Sequence, residues 1–103
     1  MAFLLLRYNL KPETSAQQFE EWVKTTDQPA MRGLSRVKNF DTFKVSGLLM
    51  GEGAPAQSYF EIFEIDDLAG FTGEDMPGEV VQSIMGQFMQ YVDNPEFAIA
   101  DKL

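Results

Sequence analysis

The stretch Tyr59–Ile65, YFEIFEI, alternates aromatic and β-branched residues with two glutamates. That is the pattern of a strand covered on both faces. Strand side chains alternate, so Tyr59, Glu61, Phe63 and Ile65 share one face and Phe60, Ile62 and Glu64 the other. A carboxylate among aromatics is costly to bury unless it is paired or protonated. This strand is therefore the first place to look for a site.

Working outward, Val37–Val45 reads as a neighbouring strand, with Met50 as its far limit. Gly47, Gly51, Gly53 and Pro55 mark a long hairpin connection between the two. Ala2–Leu10 is apolar nearly throughout, as a central strand should be, until Arg7, Tyr8 and Asn9. Lys11-Pro12 stops it. Thr14 and Gln17 fit a capping box, with Ser15 and Gln18 as the alternative register. The first helix follows to about Asp27, with Phe19, Trp22 and Val23 as its apolar stripe. Asp27-Gln28-Pro29 breaks it, because the residue before a proline avoids the helical region. A turn of helix fits around Met31.

Beyond Ile65, Asp66 can cap a short turn over Asp67–Phe71, and Thr72–Pro77 reads as a loop. Val80, Val81, Ile84, Met85, Phe88 and Val92 recur at helical spacing and predict a second long helix to about Tyr91. Asp93-Asn94-Pro95 ends it, and Phe97–Asp101 is a last short strand. The order βαββαβ implies one α+β domain over residues 1–103, a four-stranded antiparallel sheet with both helices on one face. The other face is also rich in apolar residues, which predicts a two-fold homodimer packed sheet to sheet.

The chain has 103 residues, a net charge of −8 and a pI near 4.3. An acidic surface repels phosphate, which argues against nucleic acid and anionic membranes as partners. With neither cysteine nor histidine, disulfides, thiolate nucleophiles, imidazole bases and the usual zinc sites are excluded. The six apolar residues before Arg7 are too few for a signal peptide, so the expected location is cytoplasmic. No P-loop, dinucleotide fingerprint, nucleophile elbow or metal-loop spacing is present.

Chemistry could sit on a few polar groups. Glu61 or Glu64 becomes a general base if burial raises its pKa, or pairs with Arg7 or Lys44 across the sheet. Asp27 orients a substrate or caps the next turn. Arg32 anchors a carbonyl or carboxylate, or lies in solvent. Tyr8 donates a hydrogen bond into a pocket, or merely packs. Trp22, Phe40 and Phe88, with Phe19, Phe60, Tyr91, Met31, Met85 and Met89, line an apolar ligand cavity between helices and sheet or make up simple core.

The segments FEEWVKTTDQPAMRGLSRVKNFDTFKVSGLL (Phe19–Leu49), YFEIFEIDDL (Tyr59–Leu68) and QFMQYVDNPEFAIADKL (Gln87–Leu103) resemble the RedY-like proteins of the HapK type. The likeness rests on D-x-P at Asp27–Pro29, the strand ending at Val45-Ser46-Gly47, Y-x-E at Tyr59–Glu61 and D-x-P-x-F at Asp93–Phe97. It covers most of the chain and is weakest in the hairpin loop and at Thr72–Gly78. Ser35-Arg36 interrupts the run expected before Val37, and without histidine no imidazole mechanism carries over.

The resemblance implies a ferredoxin-like fold assembled as a dimeric α/β barrel, with a pocket in each subunit. It also implies a role in biosynthesis of prodiginine pigments or related pyrrole or indole products, on an aromatic heterocyclic intermediate, with no metal or organic cofactor. Asp27, Arg32 and Glu61 are the catalytic candidates by position. Three functions compete: a cofactor-free acid–base enzyme, a binding or chaperone-like protein for an intermediate, and a cofactor-independent monooxygenase of the same fold.

Overall fold

The computed structural model describes residues 1–103. Its strands are β1 (Ala2–Leu10), β2 (Val37–Lys44), β3 (Tyr59–Ile65) and β4 (Val92–Ala100). They form one antiparallel sheet in the order β2-β3-β1-β4. The two most apolar strands, β1 and β3, therefore lie at the centre, where both edges are paired and one face is covered by the helices. Two helical layers cross one face of this α+β ferredoxin-like fold. The first comprises α1 (Ala16–Trp22), a π-helical turn (Val23–Asp27) and α2 (Gln28–Arg32). The second comprises α3 (Leu68–Gly70), a second π-helical turn (Phe71–Asp75) and α4 (Glu79–Tyr91).

Tyr59, Glu61, Phe63 and Ile65 face the helices and are buried. Tyr8 stacks on Tyr59 and meets Phe19 and Phe88 edge-on. Phe40 stacks on Phe63 with ring centroids 4.0 Å apart. The opposite sheet face carries Phe43 stacked on Phe60 at 4.7 Å, with Ile62 exposed beside them.

Four local expectations change. Ser15, not Thr14, caps α1 by accepting the Gln18 amide at 3.2 Å, whereas the Thr14 hydroxyl donates to the Tyr91 carbonyl. Asp27-Gln28-Pro29 does not stop the helix. The Gln28 amide bonds back to the Val23 carbonyl, five residues earlier, and the wide turn leads straight into α2. Proline has no amide to offer, and one expanded turn accommodates that loss without ending the helix.

β4 begins at Val92, directly after α4, rather than at Phe97, and ends at Ala100 rather than Asp101. Asp93–Pro95 is a kink inside the strand. The β1–β4 register slips between Arg7 and Asn9, and Asn94 takes a left-handed φ of 46°, which asparagine tolerates. The expected loop at Thr72–Pro77 is largely helical, and its cap is Asp67, which accepts the Gly70 amide at 3.0 Å.

Candidate functional site

β3 aims Glu61 at the helices with only 2% of its surface exposed, because Tyr59, Phe63 and Ile65 commit that face to the core. In the β1–β3 register Tyr8 lies opposite Tyr59 and Leu6 opposite Glu61. The fully buried Tyr8 hydroxyl therefore reaches diagonally and donates to Glu61 Oε2. Asp27 enters from above on the π-helical turn, also buried. A π turn re-aims one side chain relative to a regular helix, and such turns recur at functional sites.

The electrostatics follow from burial. Desolvation, then the charge of Asp27, push Glu61 up to about 8, opposed by the Tyr8 hydrogen bond. Burial pushes Asp27 up to about 7. The Tyr8 hydroxyl is raised by burial and by Glu61, so it stays protonated and serves as a donor.

Two buried oxygens have no partner, Asp27 Oδ2 and Thr42 Oγ1. Thr42 lies directly across from Glu61 on β2. Buried polar atoms are nearly always paired, with protein, water or ligand, so these two are free to meet a water or a bound polar group.

A cleft of about 190 Å³ opens beside this cluster, lined by Thr42, Tyr59, Val23, Gln28, Lys24, Lys44, Glu20 and Phe19. At its rim Glu20 accepts from Tyr59 at 2.7 Å and from Lys44 at 3.0 Å, and these two bonds hold its carboxyl below the usual range. A second cavity, about 310 Å³, lies toward β4 and is apolar apart from Thr72. Leu6 and Phe63 belong to its wall, and they are the cross-strand partner of Glu61 and its next neighbour on the same face.

Of the sequence-predicted residues, the fold brings Glu61, Asp27 and Tyr8 together. It does not bring Arg32. That guanidinium lies at the sheet edge, half exposed, donating to the Phe40 carbonyl at 2.8 and 3.0 Å and to Asp41 at 3.1 Å. It fastens α2 to β2, with most of its donors engaged there and a further bond to Gln28 at 3.4 Å. Trp22, Phe40 and Phe88 line neither cavity. Their rings pack on one another and on Phe19, Tyr8, Phe63 and Tyr91, and so close the space expected to hold a ligand. Glu64 lies on the opposite face, where it accepts from Asn39 at 2.6 Å. The partners expected for a sheet glutamate are taken elsewhere, Arg7 by Glu96 and Lys44 by Glu20.

Thr42 and the Glu20–Tyr59–Lys44 group were not singled out from the sequence. Thr42 was within reach, since it shares the face of Phe40 two residues earlier. Glu20 has Lys24 four residues on along its own helix, and only the tertiary fold turns it toward Lys44.

Fold and cluster together define a ferredoxin-like α+β protein with a buried acid pair between sheet and helices. The chain belongs to the REDY-like protein HapK family, whose model matches residues 2–103. Among solved structures, HapK from Hahella chejuensis superposes with a TM-score of 0.81 at 24% identity, covering 100% of this chain and 93% of that one. An EthD family protein from Bacillus halodurans gives 0.75 at 18%, covering 100% of both. A dimeric ferredoxin-like protein of unknown function from Thermobifida fusca gives 0.73 at 12%, covering 98% of this chain and 90% of that one. At these identities the likeness is one of fold. No curated protein matches the chain. No helix is long and apolar enough to cross a membrane.

Proposed function

We propose that this protein is a cofactor-free acid–base enzyme in the biosynthesis of a prodiginine or a related pyrrole or indole product. It would cyclise or dehydrate an aromatic heterocyclic intermediate. The observation that carries this reading is the buried pair Glu61 and Asp27, both brought near neutrality, with an unpartnered oxygen on Asp27 itself and another on Thr42, across from Glu61.

At pH 7 a carboxyl with a pKa near 8 is mostly protonated, and one near 7 is half ionised. Glu61 then serves as the acid and Asp27 as the base, two roles set by environment. In a dehydration Asp27 would take a proton from the ring-forming carbon or nitrogen. Glu61 would give its proton to the departing hydroxyl, which leaves as water. The Thr42 hydroxyl and Asp27 Oδ2 would hold a carbonyl and an N–H of the ligand. The functional unit is a homodimer packed through the open sheet face, in keeping with the exposed Phe43 and Ile62 there.

The test is to delete the gene, identify the accumulating intermediate, and supply it to the purified protein and to Glu61→Gln. Conversion by the wild type and not by the variant is expected. A binding protein, the reading favoured by the large apolar cavity, would hold the intermediate unchanged and tolerate the substitution.

A further inference from the structure

We infer that the cleft beside β2 takes a ligand bearing a carboxylate, held at the rim by Lys24 and Lys44 while its ring points inward to Thr42. This rests on the acid–base reading of Glu61 and adds the charge of the substrate to it.

The chain carries a net charge of −8, so its surface as a whole repels anions. The cleft departs from that. Its lining holds two ammonium groups, Lys24 and Lys44, against one carboxylate, Glu20. Arg7, Arg32, Arg36, Lys38 and Lys44 each lie against a carboxylate of the chain. Lys24 pairs with none and still lines the cleft.

The chain's own carboxylate shows what these donors hold. The Tyr59 hydroxyl and the Lys44 ammonium both donate to one oxygen of Glu20, Oε2, at 2.7 and 3.0 Å. Gln28 gives its carbonyl oxygen to Arg32, which leaves its amide N–H groups to donate into the cleft. A lining rich in donors and poor in acceptors suits an anion, and a charged acceptor makes the stronger bonds.

Thr42 settles which way round the ligand lies. Its buried hydroxyl has no partner, belongs to the cleft lining and stands across from Glu61. A carboxylate pushed inward would meet two more buried acids, Glu61 and Asp27, and lose its water without return. At the rim it keeps part of its hydration and meets ammonium groups. Phe19 and Val23 supply the apolar contact that a ring needs. The cleft has about 190 Å³, and a dry cavity of about 150 Å³ accepts benzene. A single pyrrole-sized ring with its carboxylate therefore fits.

The test titrates pyrrole-2-carboxylate and its neutral counterpart, pyrrole-2-carboxamide, calorimetrically against the wild-type protein. At low salt the carboxylate should bind roughly tenfold more tightly, the product of two exposed ion pairs worth a few-fold each. High salt should shrink that preference. Lys24→Met and Lys44→Met should each remove about a threefold share of it. Glu20→Gln frees Lys44 and Tyr59, so carboxylate binding should strengthen about threefold. Glu79→Gln, the same change of charge outside the cleft, should leave binding as it was. Thr42→Val keeps the shape and should weaken both probes by roughly fivefold, because each carries the ring N–H that the hydroxyl meets. The site is overturned if neither probe binds, if the carboxamide binds as tightly as the carboxylate, or if the preference survives loss of both lysines. Unchanged binding of both probes in Thr42→Val overturns the inward seat of the ring. Glu61→Gln should keep the preference for the carboxylate. If that variant turns over the accumulated intermediate normally and the preference persists, the acid–base reading falls and the carboxylate site stands. If the preference is absent while Glu61→Gln is inactive, the carboxylate site falls and the acid–base reading stands.

Discussion

The Tyr8 hydroxyl donates to Glu61 Oε2 across two central strands, and both side chains are almost wholly buried. This bond opposes the upward push of burial on Glu61. Tyr8→Phe leaves a buried carboxyl oxygen unpaired, at a cost of about 1–3 kcal/mol by denaturant unfolding. It also moves the Glu61 titration to higher pH, because the bond that favours the ionised form is gone. A tyrosine that merely packs would change stability and leave the limb of the pH–rate profile in place.

Glu61→Gln preserves shape and the Tyr8 hydrogen bond while removing the titrating group. Turnover of the accumulated intermediate should fall by roughly 10²–10⁴-fold, the usual contribution of a positioned acid or base. Asp27→Asn should lose a similar factor with the opposite limb of the pH profile. Full activity in both variants would reduce the carboxylates to structural groups.

The same pair makes stability depend on pH with a definite sign. Glu61 and Asp27 have ordinary values of 4.5 and 3.8 and folded values of about 8 and about 7. Between those limits the folded chain binds more protons than the unfolded chain. Stability is therefore greatest near pH 4–5 and falls as pH rises to about 8, by up to about 1.4 kcal/mol per pH unit for each group. Below pH 4 the trend reverses, because Glu20 and Asp67, both held down by their partners, become protonated. Urea midpoints at pH 5 and pH 8 check this. Glu61→Gln should flatten the decline, and a wild type more stable at pH 8 than at pH 5 would show that the pair is not buried as described.

How much of this was legible in the sequence depends on which interaction decides each feature. The faces of β3 follow from alternation alone, so Glu61 lands inside and Glu64 outside once the helices choose their side. Asp27 stood out because it precedes Gln28-Pro29, but the sequence pattern predicts a break there. A proline inside a helix is resolved by an expanded turn only when packing rewards continuation, and here Met31 reaches the core through α2. β4 was hidden because Asn-Pro reads as a turn, whereas the bulge opposite Arg7–Asn9 absorbs it. Arg32 meets a backbone carbonyl eight residues away, and local chemistry cannot announce such a contact.

Arg36 fixes the segment that forms one side of the apolar cavity. Its guanidinium meets Asp67, Glu74 and Asp75 at 3.2–3.3 Å. The segment between them holds Leu68, Phe71 and Thr72 over the cavity. Arg36→Met should speed amide exchange in Leu68–Asp75 while β1 and β3 stay protected. Gly70→Ala should do the same by another route, since a Cβ at that position would collide with the Asp67 carboxyl and the Arg36 guanidinium. Unchanged exchange in both variants would mean that packing, not the ion cluster, holds the segment.

One face of the sheet is turned away from the helices. Phe43 and Phe60 stack there, with Phe43 42% and Ile62 37% exposed. Both helical layers lie on the other side, so nothing in the chain itself covers these rings, and apolar surface of this kind marks an interface. A two-fold axis lets one patch bury itself against its own copy. Sedimentation equilibrium at micromolar concentration should give twice the chain mass of 11.6 kDa. Phe60→Asp places a charge in that interface and leaves the helix-side core of Tyr59, Glu61 and Phe63 untouched, so a folded monomer is expected. Circular dichroism separates that result from unfolding. A wild type that sediments as a monomer, or a Phe60→Asp variant that remains a dimer, would assign the pairing surface elsewhere.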